Sequence, residues 1–401
     1  MNDQELKTMR NSFNTVKNKS KPFLDTPRTI ELQEKVKDIK INAINNMDEL
    51  MDEAINSFKK NDINVFKAQN DLKAQEIILN LVKNEKNNEY IAKSKSNTLG
   101  EIQISKFLKN NGYELIETDL GDRILQLKKG DNSPVHPTGP ASHLDVEEIK
   151  NIVNGALNVN LKADPKEIME FVKKDVLEKV EKSDIGISGA NSIASEDGSI
   201  VLIHNEGNIS LIASKKLHIV VAGIDKFVKT IEDAVSIAKL ETIYATGSAV
   251  TSYMNVISGP SKTADIEKKL LKNMYGAEKV VVILLDNGRS KANKECLYCI
   301  GCGNCIISCP VYNAIGNEFG FNNYLGGRGV AMSNYIKNTE TSYDSGLFKC
   351  TLCGLCSINC PVSIPTNEII EKLRNYSQKQ GFSCEAHKKI KDNINKKDSP
   401  Y

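Results

Sequence analysis

Apolar residues in the first part of the chain recur at intervals of three and four, as in VKDIKINAINNMDELMDEAI (36–55), and Pro22 and Pro27 are the main interruptions before about residue 88. Such spacing lays one apolar stripe along a helix, and it predicts helix up to about residue 88, with residues 1–60 as a helical N-terminal arm. From about residue 90 to 290 the pattern changes. Short β-rich runs (ELIETDL, RILQLKK, SIVLIHNEG, LHIVVAGI and KVVVILLDNG) are separated by helical stretches (KEIMEFVKKDVLEKVEK, KTIEDAVSIAKL and SKTADIEKKLLKNM). LHIVVAGI and KVVVILLDNG are almost wholly apolar, as strands covered by helices on both faces must be. Residues 61–290 therefore read as an α/β domain with a mostly parallel sheet. A cysteine-rich segment follows over 291–378, with the helical run NEIIEKLRNYSQ near its end, and a polar tail occupies 379–401.

Composition narrows what such a chain can bind. Lys and Arg total 53 against 51 Asp and Glu, a net charge of +2 that recruits neither nucleic acid nor anionic lipid. No apolar run approaches the roughly 20 residues needed to span a bilayer, and the polar start MNDQELKTMRNSFNTVKNKS is unlike a leader, so a cytoplasmic protein is expected. In a reducing compartment, 10 cysteines crowded mostly into two short segments are expected to be metal ligands before they are disulfides.

Two stretches fit C-x2-C-x2-C-x3-C-P: Cys299, Cys302, Cys305 and Cys309 before Pro310, and Cys350, Cys353, Cys356 and Cys360 before Pro361. Three closely spaced thiolates on a tight loop can wrap three corners of an iron-sulfur cluster, while the fourth points toward another cluster. The expected ligand sets are Cys299, Cys302 and Cys305 with Cys360, and Cys350, Cys353 and Cys356 with Cys309. Two structural zinc sites are the alternative, although paired CxxC spacing would suit zinc better than a third cysteine and a Cys-Pro. Two 4Fe-4S clusters are the favoured reading. Cys296 is surplus to both motifs, and Cys384 lies in the tail near His387.

Neither G-x-G-x-x-G after a strand nor GxxxxGK[ST] occurs, so the chain shows no NAD, FAD or ATP motif. Clusters move single electrons, whereas oxidising an organic substrate removes two, so the two-electron centre is expected on a partner.

The 40 residues between Cys309 and Cys350 exceed what a compact bacterial ferredoxin holds. This gap and NEIIEKLRNYSQ resemble the α-helical ferredoxin domain of iron-sulfur subunits of succinate dehydrogenase and heterodisulfide reductase. The succession KSKSNTLGEIQISKFLKNNGYELIETDLGDRILQL, HPTGPASHLDVEEI, DIGISGANSIASEDGSIVLIHNEGN, LHIVVAGIDKFVKTIEDA and ATGSAVTSYMNVISGP resembles the LUD domain of lactate utilisation proteins. With CIGCGNCIISCPVYNAIG directly behind it, the order is similar to that of the lactate utilisation protein B family. The resemblance implies a NagB/RpiA/CoA-transferase-like α/β fold and an iron-sulfur subunit of a complex that oxidises L-lactate to pyruvate. It also implies other subunits as partners, of lactate-utilisation or heterodisulfide-reductase type. The alternative is a redox adaptor linking a hydrogenase or heterodisulfide-reductase-like complex to ferredoxin, with no organic substrate of its own.

Candidates for a small-carboxylate site follow from side-chain chemistry. Arg289, after an apolar strand in DNGRS, could grip a carboxylate or pair with an acidic residue near the cysteine-rich segment. Glu206 in NEGN (205–208) could act as a base or cap a turn. SGAN (188–191) and EDGS (196–199) could present amides to an anion or merely connect strands. Lys93, Ser94, Lys95 and Ser96 could form an anion site or a solvated helix start. His136 and His143 bracket a loop that reads as structural more than metal-binding.

Overall fold

A computed structural model describes residues 1–85 and 89–399; the end of the stretch read as helical up to about residue 88 and the last two residues of the tail lie outside the described residues. Three helices open the chain: α1 (Asp3–Leu24), α2 (Pro27–Asn45) and α3 (Met47–Lys60). Asn2 accepts from the Glu5 amide while Glu5 accepts from the Asn2 amide, and Thr26 accepts from the Thr29 amide with Pro27 in the first helical position. These contacts satisfy amides that have no partner inside the helix and so set where each helix begins. The arm is not free-standing: Met9, Phe13, Val36, Ile44 and Phe58 belong to one apolar core with Val282 of the sheet and Tyr312 of the cysteine-rich segment.

The main sheet contains β1 (Ile63–Ala68), β2 (Ile91–Lys93), β3 (Leu115–Glu117) and β4 (Ile185–Ser188). The chain then leaves it for β5 (Ser192–Ala194) and β6 (Ser199–His204), returns in β7 (Leu217–Gly223), and leaves again for β8 (Phe227–Val228) and β9 (Tyr253–Ile257). A small hairpin, β10 (Lys262–Thr263) with β11 (Leu271–Lys272), precedes β12 (Lys279–Leu285), which rejoins the main sheet. The six strands run in the order β1-β12-β7-β4-β2-β3, every pairing parallel, and β8-β5-β6-β9 form a second, mixed sheet. In β12, Val280, Val282 and Leu284 face the core shared with the arm, while Val281, Ile283 and Leu285 face a second core under the helix Asp71–Asn84. Burial on both faces accounts for the uninterrupted apolar run.

Three local expectations are corrected. RILQLKK falls largely in a helix, Leu120–Leu127, because the Asp119 carboxylate accepts from the Asp122 amide and starts one there. SKTADIEKKLLKNM is the β10–β11 hairpin: Glu267, Lys268 and Asn273 take positive φ, and Ile266 and Leu270 stay exposed, so no buried stripe holds a helix together. INVFKA is not a continuation of the helical arm but β1, an edge strand whose outer residues are mostly exposed. NEIIEKLRNYSQ does lie in a helix, Thr366–Lys379. Among the described residues no helix is long and apolar enough to cross a membrane.

Beyond the carboxyl end of β12, Arg289 is buried and clamps the sheet to the cysteine-rich segment. Its Nη1 and Nη2 donate to the two Glu101 carboxylate oxygens at 2.9 and 2.7 Å, its Nε donates to Asp225 at 2.6 Å, and Nη2 also reaches the Tyr324 hydroxyl at 3.0 Å. The guanidinium fork is therefore filled by the protein itself, and of the two roles read for Arg289 the structure gives it the pairing one. A buried pair that loses one partner leaves an uncompensated charge. Glu101→Gln is expected to lower the free energy of unfolding by about 3 to 5 kcal/mol in chemical denaturation. A loss below about 1 kcal/mol would place Arg289 in a solvated setting.

Candidate functional site

The two cysteine motifs fold as near copies. Gly303 and Gly354 both take φ 76° and start the short helices Asn304–Ile307 and Leu355–Ile358, which carry the chain to Cys309-Pro310 and Cys360-Pro361. A Cβ on Gly303 would stand 2.3 Å from His136 Nε2, so glycine is required there by contact as well as by φ. The Asn304 side chain donates to the Asn359 carbonyl at 2.7 Å and ties the loops together.

All ten cysteines are free thiols. Burial pushes the Cys302 and Cys305 thiols well above their ordinary range, and pushes Cys309 and Cys360 up to about 11. The charges that act on Cys302 besides burial and the Asn304 amide are those of Cys305, Cys360 and Cys299; for Cys309 they are Cys356 and Cys350. Cys360 acts on Cys302 and Cys305 of the first motif and itself feels both Cys299 and Cys356, while Cys309 feels Cys356 and Cys350 of the second. Backbone amides of Gly301, Tyr312 and Leu352 donate to the sulfurs of Cys299, Cys309 and Cys350, each at 3.4 Å. Soft sulfur donors, desolvated and met by peptide N–H groups, fit an iron-sulfur centre, whose binding would displace the thiol protons. Cys296 is buried beside the first motif with its thiol raised to about 12. Cys384 stands at the start of the polar C-terminal helix Glu385–Lys397 without a side-chain capping bond, and its charge acts on Arg374, as does that of Cys350.

A cavity of about 500 Å³ lies where the strand order reverses, between β4 and β2. Open parallel sheets bind ligands at such a switch point, outside the carboxyl ends of the strands. Residues following β2, β3, β4 and β6 line it, including Ser94, Lys95, Asp119, Asn191 and Glu206. Its far wall is formed by Ile300 and Gly301, which lie between Cys299 and Cys302. Lys95 donates to Asp119 at 2.6 Å and to the Thr138 carbonyl at 3.3 Å, while Lys93 forms a buried pair with Glu117 at 2.7 Å. Ser96 caps the next helix. The Lys-Ser-Lys-Ser run is thus neither solvated nor free for an anion, except at Ser94. Ser94 Oγ and His204 Nδ1, both buried in the lining, have no hydrogen-bond partner, and such orphans are what a polar ligand would satisfy.

Glu206 stands exposed at the cavity and accepts from the Leu120 amide at 3.2 Å. Partial desolvation where the carboxyl meets the cavity wall, together with the charge of Asp119, pushes it up to about 7 against the opposing Lys95 and Leu120 amide. SGAN reaches the cavity through Asn191, whereas EDGS only turns β5 into β6. His136 ties its loop to the first motif: Nδ1 accepts from Thr138, which leaves Nε2–H to donate to the Gly303 carbonyl at 3.3 Å, whereas His143 is buried with its Nδ1 unpartnered. Residue patterns gave no sign of Glu241. It sits in the helix Ile231–Thr246, whose second half is buried nearly all round, and it is 8 % exposed, accepts from Asn191 at 2.9 Å and approaches Gly301 from the cavity side.

Comparison with known proteins matches the two parts of the chain in this order. Residues 51–285 match the LUD domain family, and residues 295–364 match the 4Fe-4S dicluster domain family. The chain is 33 % identical over 342 residues to lactate utilisation protein B of Geobacillus sp. (strain WCH70), covering 84 % of this chain and 70 % of that one. It is 32 % identical over 346 residues to lactate utilisation protein B of Lysinibacillus sphaericus (strain C3-41), covering 84 % and 70 %. A crystal structure of a DUF162 family protein from Deinococcus radiodurans overlays 60 % of this chain and 98 % of its own at 13 % identity, with a TM-score of 0.31.

Burial pushes the Glu241 carboxyl up to about 7 from its ordinary 4.5, against the opposing effects of Lys226 and Asn191. Between those values the folded chain keeps a proton that the unfolded chain has lost. Its contribution to stability is therefore full below pH 4.5 and is lost as pH rises toward 7, by up to about 3 kcal/mol. Glu241→Gln is expected to flatten that part of the denaturation-versus-pH curve; an unchanged slope would place the titration elsewhere.

Proposed function

We propose that this chain, which belongs to the lactate utilisation protein B family, is the iron-sulfur electron-transfer subunit of a complex that oxidises L-lactate, or another 2-hydroxy acid, to its 2-oxo acid. Two 4Fe-4S clusters, when bound, supply one-electron steps. Cys299, Cys302, Cys305 and Cys360 hold one, and Cys350, Cys353, Cys356 and Cys309 hold the other; the mutual charge coupling of these thiols supports the sets. The observation that carries the reading is the shared wall of the cavity. Ile300 and Gly301 line it and separate two of the cysteines, so a ligand in the cavity sits against the loop of the first set.

The chain's own residues bind and orient. Ser94 and His204 offer an unused hydroxyl and an unused ring nitrogen to a small carboxylate, while Lys95 on the lining stays engaged by Asp119. Glu206, raised to about 7, is poised to exchange a hydroxyl proton near neutral pH. A three-carbon acid fills only a small part of about 500 Å³, which leaves room for a partner's two-electron group beside it. Other subunits of such a complex are the partners this reading requires.

Cys302→Ser and Cys353→Ser are each expected to bind half the iron of the unchanged chain, since each removes one ligand of a different set; full iron in both would refute the assignment. Isolated anaerobically from its host with its partners, the protein is expected to lose its visible iron-sulfur absorption on addition of L-lactate. Bleaching by dithionite but not by lactate would leave the clusters standing and give the function to a redox adaptor without an organic substrate.

A further inference from the structure

α2 turns the stripe Val36, Lys40, Ala43 and Ile44 into the core, and a lysine stands where the spacing calls for an apolar residue. Lys40 is 2 % exposed. Its ammonium donates to the Asp225 carbonyl at 2.7 Å, and among the described residues it forms no ion pair. The Asp225 carboxylate is already held by Arg289 at 2.6 Å and Lys226 at 3.9 Å. Asp225 is thus shared among three cations, Arg289, Lys226 and Lys40, and the positive charge left over in this buried region calls for a further anion.

Arg328 approaches the same region from the other side. It lies in the helix Gly326–Ile336, partly buried over the Tyr324 ring, and its Nε and Nη2 donate to the Cys296 carbonyl at 3.4 and 3.0 Å. It too forms no ion pair among the described residues. α2 packs on the short helix Lys294–Leu297 that leads into Cys299, so Lys40 and Arg328 flank one stretch of chain. Each feels the charge of Cys299.

We propose that Lys40 and Arg328 are positioning residues of one cluster: they are the counter-charges of the centre held by Cys299, Cys302, Cys305 and Cys360, and they keep its reduction potential from falling with burial. The inference rests on the ligand sets proposed above. A cluster with four thiolate ligands is a net anion and gains negative charge on reduction, so burial disfavours the reduced form and a nearby cation favours it. The second set is built differently. Cys353 is exposed, Ile358 is 80 % exposed, and the adjacent cation is Arg374, whose guanidinium donates to the carbonyls of Leu347 and Cys350. Solvent carries out there what Lys40 and Arg328 do inside.

The test is an anaerobic redox titration of the iron-loaded chain followed by electron paramagnetic resonance. Lys40→Met and Arg328→Met are each expected to move one midpoint negative and leave the other in place. The shift should lower the reduced-to-oxidised ratio at a fixed potential by tenfold or more, equivalent to about 59 mV for one electron. Lys40→Arg should restore the midpoint, and Arg374→Met should move the other one. Two unmoved midpoints with full iron, or two that move together, overturn the proposal. Should Lys40→Met lose iron, Arg328→Gln carries the same expectation from the opposite side. Failure of the ligand sets is separately visible, as full iron in Cys302→Ser.

Discussion

The arrangement depends on one buried ionic contact at the carboxyl end of the parallel sheet. Arg289 follows β12, Glu101 ends the helix that follows β2, Asp225 follows β7, and Tyr324 belongs to the cysteine-rich segment. One guanidinium therefore draws together three strand ends and the neighbouring segment. A planar fork satisfied on every side has few alternative geometries, so the contact fixes orientation as well as proximity. Ile300 and Gly301 close the cavity because the segment that carries them is held against those strand ends.

The large-scale plan was legible in the residues because it rests on strong periodicities. β7 and β12 are long and apolar on both faces, the helix Pro165–Glu181 keeps an apolar stripe, and the cysteine spacing is dense. What escaped was decided by few residues or by distant ones. β2 and β4 span three and four residues and acquire their identity from their neighbours in the sheet, not from a pattern of their own. β1 alternates too weakly to stand out from the helices on either side. Lys40 looks like an ordinary member of an amphipathic helix and Glu241 like a lone charge in a largely apolar one; only packing against distant segments buries both.

Burial separates carboxylates that are chemically alike. Asp225 lies against Arg289, Lys226 and Lys40, which together hold its carboxyl far below the ordinary range despite burial. Glu241 is equally enclosed but has one lysine and one amide to oppose desolvation, and it rises to about 7. The difference lies in the number of fixed cations within reach, not in depth. Asp225 is thereby committed as a permanent anion of the scaffold, and Glu241 beside Gly301 is left able to change charge near neutrality.

The same reasoning gives the N-terminal helices a part in the redox site. An arm that only covered the sheet would need an apolar stripe, and every polar residue placed in it would reduce its grip. Lys40 breaks the stripe on a helix that packs against the short helix leading to Cys299, where a charge costs most in an empty core and least beside a buried anion. With the cluster proposed above in place, Lys40 would couple the seating of the arm to what the cysteines hold: the anion bound by the first set would also relieve the unfavourable charge in the stripe of α2.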